Sequence, residues 1–242
     1  MQRFIDRFQA SPLVYRVLYG FRPGRLPNPA ALFSRHNYPR NCRKLQAALK
    51  KKELAVGGSP QEGPQAAFLL RQHTGGPADE LRFGLAPMSG VGCEIMACFN
   101  AMLLCGKTPH LPSLIRDFEH RGCSLLGFLG TAPAAVHRRL CNEGLQAELL
   151  WAPLYEVGGD ESFGAVPPVW EDHLKTHTCV IITFWWPQRY GIHTVMLQKD
   201  PSGQEGLCAW NYRGDRDFYH YPSIEKMVQL TGIVPISLIT VQ

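Results

Sequence analysis

No run of eighteen uninterrupted apolar residues occurs in the 242-residue chain, so no segment reads as a membrane-spanning helix. The N-terminus lacks the uninterrupted apolar core and small-residue cleavage site of a secretory signal. None of the eight cysteines (42, 93, 98, 105, 123, 141, 179 and 208) stands in a C-x-x-C pair. With no export signal, a reducing, cytoplasmic compartment is expected and disulfides are not the framework. No phosphate-binding glycine loop and no nucleic-acid motif is present, so neither a nucleotide cofactor nor a nucleic-acid partner is expected.

Acidic residues are nearly missing from the first 53 residues of the chain. Residues 1 to 53 hold twelve Lys/Arg against two acids, and the remainder holds thirteen Lys/Arg against eighteen acids, so the overall +5 combines +10 with −5. This asymmetry predicts a boundary. The chain divides into a basic segment, 1–53, a Gly-, Pro- and Gln-rich linker or loop, 54–83, and a domain, 84–242. The basic segment carries Phe4, Phe8, Tyr15, Leu18 and Phe21. It is expected to pack on the domain through these apolar groups, with contact to an anionic membrane surface as the alternative.

What is there reads as an α+β domain. Helical spacing covers 94–105, 111–119 and a stretch capped by Thr131 and stopped by Gly144. Extended patterns follow at 145–152, 179–186, 192–199 and 206–212, then a helix at 223–230 and a final strand. Helices first and hairpin-linked strands later is the α+β order.

Cysteine 93 stands out because it follows the small turn "SGVG" and opens a helix. Unpaired amides and the helix dipole favour thiolate there by about 0.3 to 2 kcal/mol. Lowering a thiol from about 8.5 to about 4 takes roughly 6 kcal/mol, so an imidazolium partner must supply the larger share. The hairpin at 192–212 offers one. If "DPSGQEG" turns symmetrically about Ser202, Leu197 opposes Leu207 and His193 opposes Asn211, Cβ atoms about 5 Å apart, so the amide would aim the ring. Gly90 and Gly92 would leave the approach open for a substrate backbone, and the Cys93 amide would donate to an oxyanion. Ser89 and Trp186 are candidate substrate-binding residues. His173 and His177, with Asp172 and Cys179 nearby, are the one candidate metal grouping, and a solvated helix end is the expectation instead.

A cysteine opening a helix, a histidine on a strand about a hundred residues later and an asparagine on the next strand resemble the papain-like cysteine peptidases. "GCEIMACFNAMLLCGK", "LPSLIRDFEHRG" and "GTAPAAVHRRLCNEG" are most similar to small bacterial peptidases related to the bacteriocin-leader, double-glycine processing domains. The resemblance covers about residues 84–242. It implies a helical half carrying the nucleophile packed on an antiparallel sheet half, Cys93 as nucleophile, His193 as base then acid, Asn211 as orienting residue, and a peptide or protein substrate. It implies no cofactor and no metal. Acyl transfer on the same residues is the alternative chemistry, and a silent peptide-binding module the alternative class. Two positions depart from the pattern. Pro87 stands where a glutamine usually completes the oxyanion hole, with Ser89 or Gln65 as substitutes, and the nearest carboxylate to the third position, Asp215, lies past the strand.

Overall fold

The structure is a computed structural model, and it describes residues 31–55, 80–122, 130–152, 166–189, 191–213 and 218–242. Residues Phe4 to Phe21, Gln65, Cys123 and Asp215, which figure in the expectations above, lie outside the described residues.

Six antiparallel strands form one sheet: β3 (Ala147–Trp151), β4 (Cys179–Trp186), β5 (Gly191–Lys199), β6 (Leu207–Trp210), β7 (Phe218–Tyr221) and β8 (Val234–Val241), in the spatial order β3-β8-β4-β5-β6-β7. Before them comes a two-stranded hairpin, β1 (Arg82–Phe83) and β2 (Ala86–Pro87). Its turn needs Gly84, whose φ of 57° lies in the left-handed region that glycine adopts at least cost. The helices are α1 (Ala31–Ala55), α2 (Met88–Val91), α3 (Cys93–Leu104), α4 (Leu111–Arg121), α5 (Pro133–Asn142), α6 (Pro168–Thr176) and α7 (Ile224–Thr231). The class is α+β.

Alternation along the strands divides the core in two. Cys179, Ile181, Met196, Cys208 and Ile239 point to a core shared with α3, α4 and α5. Their neighbours Val180, Ile182, Val195, Leu197 and Leu238 point to a second core shared with Trp170 and Leu174 of α6 and Ile224 and Met227 of α7. Covered on both faces, β4 can be apolar without a break, which is why "CVIITFWW" shows no alternation. Helix α3 is the centre of the first core. Every residue from Cys93 to Met102 is buried, as a helix with no polar face must be.

Helix α1 corrects the linker boundary, since it runs through position 53 to Ala55, and β1 also lies inside the span read as linker. Leu45 packs against the first core, and polar side chains add to the attachment. The Asn37 amide donates to Glu119 Oε1 at 2.6 Å and to the Gly84 carbonyl at 2.8 Å. Asn41 donates to the Arg82 carbonyl and accepts from the Arg82 amide, at 2.9 and 3.0 Å. Ser34 Oγ lies 2.8 Å from His120 Nε2, and the Arg116 guanidinium covers the Tyr38 ring. Burial raises the Glu119 carboxyl above its ordinary range against these bonds.

One further expectation changes. Thr131 does not cap α5, whose cap position is Ala132. Helix α6 ends just before His177, at the expected helix end, and strand β7 is an element that the sequence reading does not place. No helix among the described residues is long and apolar enough to cross a membrane.

Candidate active site

Cys93 is the first residue of α3, after Gly92 at the cap position. Gly92 does not open a path to the thiol. A Cβ there would stand 2.4 Å from Met88 Cε and 2.7 Å from the Met88 carbonyl, so the missing side chain is filled by Met88 of α2. Gly90 is exposed, and Ser89 is half-buried in α2.

The thiol is buried, and it donates to Glu94 Oε2 at 3.0 Å. A second hydrogen bond joins it to the backbone amide of Thr194 on β5. Burial pushes the Cys93 thiol well above its ordinary value, and the Glu94 charge and hydrogen bond push the same way, outweighing the Thr194 amide. This corrects the expectation of a resting thiolate. The dipole of α3 favours the anion, but it is smaller than the desolvation that comes with a fully buried helix.

Glu94 is the residue that sequence reasoning missed. It is fully buried, and burial moves its carboxyl up to about 7, against hydrogen bonds from Cys93, its own amide, the Thr131 amide and the Thr194 side chain. Gly130 makes room for it: with φ of 70°, a Cβ there would lie 3.0 Å from Glu94 Oε2. The Thr194 hydroxyl continues the chain of contacts to Thr183 Oγ1 at 2.9 Å. The available signal was an acid in the first turn of a helix with no solvated face.

His193 is buried on β5, paired with Phe184 of β4. Its ring stands edge-on to Phe184 at 5.7 Å and lies 6.0 Å from Trp186. Trp186 stacks on Tyr212 at 5.2 Å, so this tryptophan belongs to the ring cluster around the imidazole, and Trp185 points to a separate cluster with Val234 and Ile236.

The hairpin register differs from the expected one. Leu197 pairs with Ala209 and Lys199 with Leu207, so the turn centres one residue later, and β6 ends at Trp210. Asn211 has left the strand with φ of 61°. It still meets His193, through its backbone: Nε2 lies 2.7 Å from the Asn211 carbonyl oxygen. A carbonyl only accepts, so Nε2 carries the proton and, in the neutral ring, Nδ1 holds the lone pair. The sequence placed the correct residue beside the histidine for the wrong reason.

Cys93 and His193 thus reach the same point of β5 from different sides. The Thr194 side chain points to Glu94 and α3, and alternation turns its neighbour His193 toward Phe184 and Trp186. The β5–β6 pairs begin at Met196, so the strand edge at Thr194 lies past the end of β6, and there the thiol meets the backbone.

Among the described residues no group of His, Cys, Asp and Glu could hold a metal ion. His173 and His177 instead share a bond from the His177 ring to the His173 carbonyl at a helix end. Comparison with family models, curated proteins and solved structures finds no match. The geometry must carry the argument alone.

Proposed function

We propose that the chain is a thiol hydrolase of papain-like fold that cleaves an extended peptide by way of a thioester on Cys93. The observation behind this reading is the meeting of the Cys93 thiol with β5 at Thr194, next to a histidine whose tautomer is set by a carbonyl. The thiol is the nucleophile. The thiol hydrogen is bonded to Glu94 at rest; on attack His193 takes that proton at its unprotonated Nδ1 and then gives it to the leaving amine. The Cys93 amide, at the start of α3, is the donor for the developing oxyanion. An amine in place of water would make the same site an acyltransferase. The protein works in the reducing cytoplasm, where its thiols stay free.

A second reading has its own support. A thiol whose ionisation is opposed by burial, with the imidazole turned to the other side of the strand, also fits a peptide-binding module without turnover. A peptidyl electrophile followed by mass spectrometry distinguishes the two. The hydrolase predicts labelling at Cys93 and loss of peptide cleavage by at least roughly a thousandfold in Cys93→Ser. Peptide binding by both forms, with no labelling and no cleavage, would establish the module.

A further inference from the structure

Two arginines share one aromatic ring beside His193. Arg189 ends the short turn Pro187–Arg189 that follows β4, and its guanidinium carbon lies 4.7 Å from the centre of the Trp186 ring. Arg213 stands two residues past Asn211, whose carbonyl holds His193. Its guanidinium lies 5.8 Å from the same Trp186 ring, 5.5 Å from Tyr212 and 5.8 Å from Tyr219. The Trp186 ring is in turn 6.0 Å from the imidazole of His193. Both arginines are exposed, and among the described residues neither pairs with a carboxylate. We propose that Arg189 and Arg213 form a binding site for a peptide carboxylate next to His193, through which the protein selects acidic peptides.

A guanidinium laid over an aromatic ring gives its flat face to the π cloud and leaves its N–H edge for another partner. That edge matches the two oxygens of a carboxylate, which accept parallel hydrogen bonds from it. The rings also restrict both side chains before a ligand arrives, so less rotamer freedom is lost on binding. Trp186 is itself buried, so the guanidiniums and not the indole meet the ligand. Charge points the same way. From residue 54 onward acids outnumber bases by eighteen to thirteen, yet here two cations gather on one ring cluster and repel each other until an anion joins them. That the carboxylate belongs to a peptide rests on the function proposed above, whereas the arginine pair itself does not depend on Cys93.

The test is calorimetric titration of the full-length protein with three N-acetylated heptapeptides in an alanine background. One has a central Glu and an amidated C-terminus, one a central Gln and an amidated C-terminus, and one a central Gln and a free C-terminus. Binding is measured in wild type and in Cys93→Ser, in which turnover does not consume the peptide. At least one carboxylate peptide should bind about tenfold tighter than the neutral amide, and which one does so identifies a side chain or a chain terminus as the source. Arg189→Gln and Arg213→Gln, both at exposed positions, should each reduce that ratio, and the double variant should abolish it. Lysine at the two positions keeps the charge without the fork, so it should restore only part of the ratio. Equal binding of all three peptides, binding of none, a preference that survives the double variant, or full restoration by lysine would overturn the proposal. Wild-type cleavage of peptides that bind with equal affinity would remove the arginine site and keep the hydrolase. Selective binding without any cleavage would remove the hydrolase and keep the site.

Discussion

Cys93 donates its thiol hydrogen to the carboxylate of Glu94, the next residue of the same helix, across 3.0 Å. Two side chains that leave a helix at neighbouring positions diverge, so this contact needs the thiol to sit at the very start of the first turn and the carboxylate to be held by outside groups. Thr131 and Thr194 supply them.

The first prediction is an order of reactivity. With burial and Glu94 raising Cys93, and Cys105 brought to about 7, iodoacetamide near neutral pH should label Cys105 ahead of Cys93. Quantitative peptide mapping over short exposures measures it. Glu94→Gln removes a charge that opposes the thiolate, so the Cys93 labelling profile should move to lower pH. An unmoved profile would show that Glu94 does not control the thiol.

Stability should fall as pH rises through the range set by Glu94. Its carboxyl titrates near 4.5 in the ordinary state and about 7 in the fold, so the folded protein binds the extra proton. The contribution is fully present below 4.5 and is lost by about 7, a change of a few kcal/mol at about 1.4 kcal/mol per unit. Glu119, also raised, adds to the slope. Urea unfolding at pH 5 and pH 7.5 should show the loss, and Glu94→Gln should flatten it.

Asn211 should tolerate glycine better than alanine. The φ of 61° strains an alanine by on the order of 1 kcal/mol, whereas glycine adopts it freely, and either keeps the carbonyl that holds His193. Asn211→Gly should therefore retain peptide cleavage. Loss of cleavage in a folded, equally stable glycine variant would return the orienting role to the side chain.

The docking of α1 should depend on its amides and little on salt. Asn37→Ala leaves the buried Glu119 carboxyl short of a donor, at a cost of about 1 to 3 kcal/mol. Limited proteolysis between residues 55 and 80 should quicken in this variant, and Asn41→Ala should act the same way. A large effect of salt on the wild-type rate would point instead to ion pairs such as Lys44–Glu80.

Much of the framework was legible because its signals are local. The apolar run of α3, the proline and glycine that bound α4, and β4 and β8 all fall close to their predicted places. Helix α1 was not legible. It buries Ser34, Asn37 and Asn41, so hydrophobic periodicity, the signal that finds helices, is missing, and Pro39 lies inside it. The site was half legible. That His193 and Asn211 meet follows from the hairpin, but the register turns on one residue in a seven-residue loop that composition does not fix. The pairing of Cys93 with Glu94 depends on Thr131 and Thr194, whose approach is set by the tertiary fold alone.

The strand order has a consequence for how the protein is made. Strand β8 lies between β3 and β4 and supplies both with backbone partners, yet it is the last strand to be synthesised. While the ribosome is still adding residues before Val234, β3 has no neighbour, and β4 exposes one edge. The nascent chain must hold an apolar β4 with one edge unpaired through more than forty residues of translation, the separation between Trp186 and Val234. Its vulnerable period for aggregation is therefore set by elongation speed over α7 and the strands before it, and slow codons there would lengthen it.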